Sequence, residues 1–228
     1  MSNLILSKVR SWIVSAWQPE QKFLFGELSR GRSVETVSSN LQVVGPYAFL
    51  TTGIGTPRAS MALGSGLTAA ANAGAQTHSV FFVATAGSYE SAISMNSAHA
   101  VSSALWSDAA LAAQQSYLPK VEKYEQLNSE IGFANSSVKG SLRVLSTPGI
   151  TLDPVVAARF GGFAELENLE IYGIALAASF FNVRWNSVLG VSNVVGRAAH
   201  AQWKANHEMA SLAAQRKLME LFPEELSQ

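Results

Sequence analysis

Residues 167–196 read ENLEIYGIALAASFFNVRWNSVLGVSNVVG, and this stretch decides the fold. Glu167 and Glu170 open it. An apolar stripe at helical spacing follows: Ile171, Ile174, Ala175, Ala178 and Phe181. A strand-like run over 185–191 then ends in the polar pair Ser192-Asn193. A helix thus brings carboxylates to one edge of a sheet, and the next strand brings an amide there. Ligand crevices in open α/β sheets form at such carboxyl ends of strands.

Outward from this stretch, strands and helices alternate. A strand is expected over 11–16, followed by a turn in which Pro19 favours the first helical position, and a helix running to about Ser29. Two strands follow, over 34–39 and 47–52, with Gly45-Pro46 as the turn between them. Gly53-Ile54-Gly55 leads into an Ala- and Gly-rich helix over 60–73. The apolar run SVFFVA over 79–84 suits a strand buried on both faces and ended by Thr85-Ala86-Gly87-Ser88. Further on, a strand is expected over 100–105, a helix capped by Ser107 or Asp108, a short helix over 121–131, a strand over 142–145 and a helical turn from Asp153-Pro154. The chain closes with an amphipathic helix over 200–222, whose Trp203, Met209, Leu212, Leu218 and Leu221 face the core. The pattern predicts one three-layer α/β/α domain spanning 1–228 around a central mixed sheet, with 1–8 as a short extension.

Composition narrows the function. Of 228 residues 48% are hydrophobic, enough for a large core. Sixteen basic and sixteen acidic residues balance, without the basic stripe of a nucleic-acid binder. No cysteine is present, which removes disulfides, thiolate metal sites and a thiol nucleophile, and agrees with a cytoplasmic setting. Between 59 and 107 Glu90 is the one charged side chain, yet Gly64, Gly66, Asn72, Gly74, Gln76 and Gly87 interrupt the run. A membrane-spanning helix needs about 20 predominantly apolar residues in succession, so no membrane partner is expected. The basic Lys8-Val9-Arg10 follows the apolar Leu4-Ile5-Leu6, the wrong order for a signal peptide.

Several chemistries lack their motif. Gly53-Ile54-Gly55 has Arg58 where a dinucleotide fingerprint needs its third glycine, and no acidic residue stands at 71–75. Neither a Walker-type Gly-Lys-Ser/Thr nor a Gly-x-Ser-x-Gly elbow occurs, and His78, His99, His200 and His207 have no metal-ligand spacing. No cofactor and no metal are therefore expected, and each histidine reads as structural or solvated. Taken alone, Glu20 and Glu170 are carboxylates near helix starts, each worth roughly 0.3–1 kcal/mol against the macrodipole. Asn193 taken alone is a turn-forming residue after a strand, and Glu167 and Asn168 are rim or capping groups.

The same positions resemble the nucleoside phosphorylase/nucleosidase superfamily and, within it, the futalosine hydrolase family. The resemblance rests on Ala16-x-x-x-Glu20, Thr85-Ala86-Gly87, Leu169-Glu170 and Val191-Ser192-Asn193-x-Val-Gly, with an Arg and a Trp beyond. It implies that Glu20 positions the attacking water and Glu170 holds the ribose hydroxyls, with Leu169 packing on the sugar. It also implies that Thr85, Ala86 and Gly87 line sugar and base, that Ile150 and Thr151 belong to the base-contacting loop, and that Asn193 reads a 6-oxopurine edge with the donor and acceptor of its amide. The implied partner is a small purine nucleoside and the implied assembly a homo-oligomer, a dimer first. Two positions depart from the pattern: Ile150 stands where an aromatic often stacks on the base, and Leu189 where many members have Arg. The turn over 17–23 offers Lys22 but no Arg, which favours water over phosphate as the nucleophile. Arg58 keeps a phosphorylase as the first alternative, and a catalytically idle nucleoside-binding or assembly member of the fold is the second.

Overall fold

The computed structural model describes residues 2–116, 126–129 and 141–226. Its strands are β1 (Ser11–Ser15), β2 (Val34–Ser38), β3 (Leu41–Val44), β4 (Tyr47–Thr51), β5 (Ser79–Ser88), β6 (Ala98–Trp106), β7 (Leu127–Asn128), β8 (Leu142–Ser146), β9 (Leu166–Glu167) and β10 (Arg184–Val194). The helices are α1 (Ser2–Leu6), α2 (Lys22–Leu28), α3 (Thr56–Asn72), α4 (Ala109–Ala112), α5 (Pro154–Gly161), α6 (Ile171–Phe180) and α7 (Ala199–Leu221). The ten described strands form one mixed sheet.

Strand alternation creates the three layers. Trp12 and Val14 of β1 and Val80, Phe82 and Ala84 of β5 join Leu63, Leu67, Ile171 and Ile174 in a core beneath α3 and α6. The intervening Ile13, Phe81 and Val83 join Leu24, Leu28, Ala214 and Leu218 in a second core beneath α2 and α7. Both faces of the central strands are buried, which is why β5 reads as an unbroken apolar run.

Strand β5 is the branch point. Along one edge it pairs with β10. Along the other, Ser79–Phe82 pair with β1 and Gly87-Ser88 pair with β9. Strands β10, β6, β8, β9 and β5 close on one another, and β1, β4, β3 and β2 extend from the opening. Thr85 sits at the fork, where β1 has ended and β9 has not begun.

Several expectations are revised. The 34–52 region holds three strands, because Leu41–Val44 forms antiparallel ladders with both β2 and β4. Thr85-Ala86-Gly87-Ser88 continues β5 instead of ending it. The 1–8 extension contains α1, whose Leu6 is buried and packs, with Val9, into the α3 core. Asp108 caps α4, accepting the Leu111 N–H, and Asp153 caps α5. The helix expected over 121–131 falls largely outside the described residues, of which 126–129 contain β7. Leu218 is buried as expected, but Met209 is 66% exposed, because α7 buries Ala210, Ser211, Ala214 and Gln215 instead. Gln215 earns this burial by accepting the N–H groups of Phe23 and Leu24 at the start of α2. Among the described residues no helix is long and apolar enough to cross a membrane.

Candidate active site

The fork leaves the backbone of Thr85 without a strand partner on that edge, and a buried peptide group must be satisfied. Two side chains substitute for the missing strand. Glu20 Oε1 accepts the Thr85 N–H at 2.9 Å, and Asn168 Nδ2 donates to the Thr85 carbonyl at 3.0 Å. The gap between β1 and β9 becomes a cavity of about 380 Å³.

Glu20 reaches the gap from the 3-10 turn Gln18–Gln21, which Pro19 initiates directly after β1. Its Oε1 also accepts the Thr85 hydroxyl at 3.0 Å, and Oε2 accepts the Trp17 N–H at 3.3 Å. Burial lifts its pKa to about 7; the Thr85 N–H pulls it down, while the charge of Glu170 adds to the rise. Glu170 lies at the start of α6, and its Oε1 accepts the N–H of Gly55 at 2.8 Å. Burial raises its pKa to about 7 as well, with the Gly55 N–H opposing. Gly53 and Gly55 have φ of 81° and 96°, which a side chain would resist, and they present the start of α3 to this carboxylate. Helices α3 and α6 cross in contact at Gly173, where an added Cβ would collide with the Thr56 carbonyl and meet the Ser60 nitrogen at 3.1 Å. The Thr56 hydroxyl also donates to the Leu169 carbonyl at 2.7 Å.

Asn193 arrives from β10 through a bulge between Val191 and Asn193. A bulge leaves ladder groups unpaired and re-aims a side chain. Two residues of α7 satisfy the groups around it: Asn206 Nδ2 donates to the Ser192 carbonyl, and Gln202 Oε1 accepts the Val194 N–H. The Asn193 amide accepts the Ser192 hydroxyl at 2.9 Å and donates to the Val194 carbonyl at 3.3 Å. An amide has two N–H donors and two acceptor positions, so one of each remains for a ligand.

Glu20, Thr85, Ala86, Gly87, Ile150, Leu169, Glu170 and Asn193 all line this cavity. Thr151 does not. It is buried beside the cavity, its N–H donating to Glu167 Oε1 at 3.1 Å and its hydroxyl to Oε2. Asn168 has the capping role, its Oδ1 accepting the N–H groups of Glu170 and Ile171. Ile150 is 53% exposed at the rim, and Leu189 is fully buried in the α3 core, far from any polar role.

The sequence reading missed an aromatic wall. Trp17, His200 and Trp203 line the cavity, and Trp203 stacks on His207 with ring centres 4.6 Å apart. Trp203 Nε1 donates to the Thr85 hydroxyl at 3.3 Å, so Trp203, Thr85 and Glu20 form a hydrogen-bonded chain. The i, i+3, i+7 spacing of His200, Trp203 and His207 on one helical face was the available signal. Arg58 and Lys22 are exposed, and neither lines the cavity. Among the described residues no three His, Asp or Glu side chains converge as metal ligands would.

The topology is shared with solved structures. Futalosine hydrolase of Helicobacter pylori superposes with a TM-score of 0.78 at 14% identity, covering 95% of this chain and 98% of that one. The 5'-methylthioadenosine/S-adenosylhomocysteine nucleosidase of the same organism does so with a TM-score of 0.78 at 14% identity, covering 96% and 99%. This chain has their fold. The corresponding nucleosidase of Colwellia psychrerythraea, in complex with adenine, matches with a TM-score of 0.76 at 13% identity and 94% coverage of both chains. No protein-family model and no curated protein sequence matches the chain.

Proposed function

We propose that this protein hydrolyses the N-glycosidic bond of a purine nucleoside or nucleoside-like metabolite whose base is a 6-oxopurine. The observation that carries the proposal is one cavity whose buried lining groups include the carboxylates of Glu20 and Glu170 and the amide of Asn193. The hydrolytic activities named for futalosine hydrolase and the methylthioadenosine nucleosidases of the same fold support it.

The chemistry follows from the groups. As the bond from the anomeric carbon to the base nitrogen breaks, its electron pair passes to the purine and positive charge grows on the sugar. The free N–H of Asn193 stabilises the departing base, an electrostatic effect preorganised by the bulge and the Ser192 hydroxyl. Glu170 keeps acceptor positions for two ribose hydroxyls. Glu20 orients a water below the anomeric carbon and takes its proton as the new carbon–oxygen bond forms, the part a base with a pKa near the working pH performs best.

Water is favoured over phosphate because the described lining residues include no Arg or Lys, the side chains that phosphate sites recruit. The test is purified protein with inosine or futalosine, with and without phosphate. Free sugar released at equal rates in both is expected. Phosphate-dependent sugar 1-phosphate would make the protein a phosphorylase, and tight binding without cleavage would make it an idle binder.

We also propose a homodimer through the face of α3 and α6, where Met61, Leu176 and Phe180 are exposed around a groove floored by Gly64 and Ala69. Knobs and a groove on one face can seat against a two-fold copy of themselves. A monomer mass in sedimentation at micromolar protein would exclude this arrangement.

A further inference from the structure

The described residues that line the cavity include no Arg or Lys, so an ionised Glu20 depends there on neutral donors. Three reach it: the Thr85 N–H and the Thr85 hydroxyl on Oε1, and the Trp17 N–H on Oε2. Burial raises the affinity of this carboxylate for a proton, and the Thr85 hydroxyl is among the groups that oppose it. The two N–H donors are fixed in the backbone. The hydroxyl rotates, and it can accept as readily as donate. Whatever sets its direction therefore bears on how Glu20 ionises.

Trp203 sets it. An indole N–H donates and never accepts. With Trp203 Nε1 donating to the Thr85 oxygen at 3.3 Å, the hydroxyl proton cannot point at the indole, and Glu20 Oε1 accepts it at 3.0 Å. Oε1 then has two donors and Oε2 has one, at 3.3 Å, so an acceptor position of the carboxylate stays open on Oε2. The indole is itself held in place. His200 and His207 both stack on it, with ring centres 6.0 Å and 4.6 Å away, and Trp17 leans on it at 43°. Further along α7, Gln215 accepts the N–H groups of Phe23 and Leu24. That keeps the helix carrying Trp203 in register with the turn carrying Glu20.

We propose that Trp203 is a positioning residue: through the Thr85 hydroxyl it keeps two donors on Glu20 Oε1 and leaves Oε2 as the oxygen that takes a proton. The consequence for the rate rests on the nucleosidase reading of the site, in which Oε2 accepts the proton of the attacking water. Without the indole N–H, the Thr85 hydroxyl can turn its proton toward the ring and present a lone pair to a protonated Glu20. That favours the neutral acid and weakens the base. A hydroxyl that already accepts a hydrogen bond is also the stronger donor. The other ionisable groups around Glu20 are Glu170 of α6, Glu167 of β9, His200 and His207 of α7, and the exposed Lys22 at the start of α2. All of them stay when the indole N–H alone is removed.

The test is a carboxyl-carbon NMR titration of Glu20, assigned with Glu20→Gln, in the full chain and in its Trp203→Phe, Thr85→Val and Thr85→Ser variants and the Trp203→Phe/Thr85→Val double variant. Phe keeps an aromatic ring beside the two histidines and removes the N–H. Thr85→Val is expected to raise the proton affinity of Glu20 about tenfold, the loss of one hydrogen bond to a charged group. Trp203→Phe is expected to raise it about threefold, the part of that bond which the indole secures. Thr85→Ser keeps the chain and should titrate as the parent does. With Val at position 85, Trp203→Phe is expected to add nothing, because its effect passes through the hydroxyl. An unchanged Glu20 titration in Trp203→Phe overturns the inference, and so does an equal rise with and without the hydroxyl. Cleavage of inosine or futalosine separates this from the nucleosidase reading. In an active protein the acid limb of kcat/KM should move to higher pH in Trp203→Phe, in step with the titration. A protein that shows the titration shifts and cleaves nothing overturns the nucleosidase reading and upholds the chain from Trp203 to Glu20.

Discussion

Replacing Glu20 by Gln is expected to remove activity and, above neutral pH, to make the protein more stable. The carboxylate is buried with its pKa raised from 4.5 to about 7. Between those two values the folded protein keeps a proton on Glu20 that the unfolded chain has released, so stability falls as pH rises through this window and levels off above it. Two and a half units at 1.36 kcal/mol each give a cost of about 3 kcal/mol at pH 8, against less than about 1 kcal/mol at pH 5. Gln removes that titration and keeps a carbonyl oxygen for the Thr85 N–H. The variant should therefore gain on the order of 2–3 kcal/mol over the parent at pH 8 and little at pH 5, while turnover falls about 10²–10⁴-fold with loss of the base. Denaturant unfolding of both proteins at the two pH values, beside glycosidic cleavage of inosine or futalosine, measures both effects. A parent-to-variant stability difference that does not change with pH would refute the raised pKa. Cleavage at the parental rate would reduce Glu20 to a helix-start carboxylate and a patch on the Thr85 backbone.

Two further variants address the base. Asn193→Asp is expected to lose 6-oxopurine cleavage and to move the ratio of specificity constants for inosine and adenosine toward adenosine by about ten- to a hundredfold, the range set by one unpaired buried group; an unchanged ratio would return Asn193 to the role of a turn residue. Gly87→Ala puts a methyl against Asn193 Nδ2 and Val195 Cγ2, and overpacking of this kind costs about 1–3 kcal/mol. That methyl would displace the Asn193 amide, so base affinity should collapse beyond what the lowered Tm explains, whereas normal affinity would show that Asn193 does not read the base.

How much of this was readable in advance differs by element, for physical reasons. Strand β5 and helix α6 were legible because burial on both faces leaves an apolar run, and an apolar stripe leaves a period. Their order placed Glu170 and Asn193 at the same sheet edge. Strand β3 was not legible, because LQVV lies between Asn40 and Gly45-Pro46 and is too short to show alternation. The buried face of α7 misled for the opposite reason. Ala210, Ser211, Ala214 and Gln215 are small or polar, so Met209 looked like the core residue while the helix packs closely through its small side chains, with Gly190 of β10 pressed against the Ala210 carbonyl. The fork in β5 could not be read at all. It depends on which strands neighbour Thr85, a long-range fact that no local pattern records, and the cavity exists because of it. His200 and Trp203 were legible only as helical residues, since nothing local reveals which face of α7 overlooks the gap.

The close crossing of α3 and α6 at Gly173 divides the site into parts that can change independently. The end proposed for the sugar, Glu170 with the Gly55 N–H, is clamped between two helices in backbone contact, and almost any side chain at 173 would force them apart. The end proposed for the base is held by strand ends and a loop, where Thr151 rests on the Glu167 carboxylate and the Asn193 amide is held by Ser192 and Val194. Mutational drift, or a designer altering substrate choice, therefore has freedom at one pole and almost none at the other. Descendants of this scaffold should diverge in the base they accept long before they diverge in the sugar.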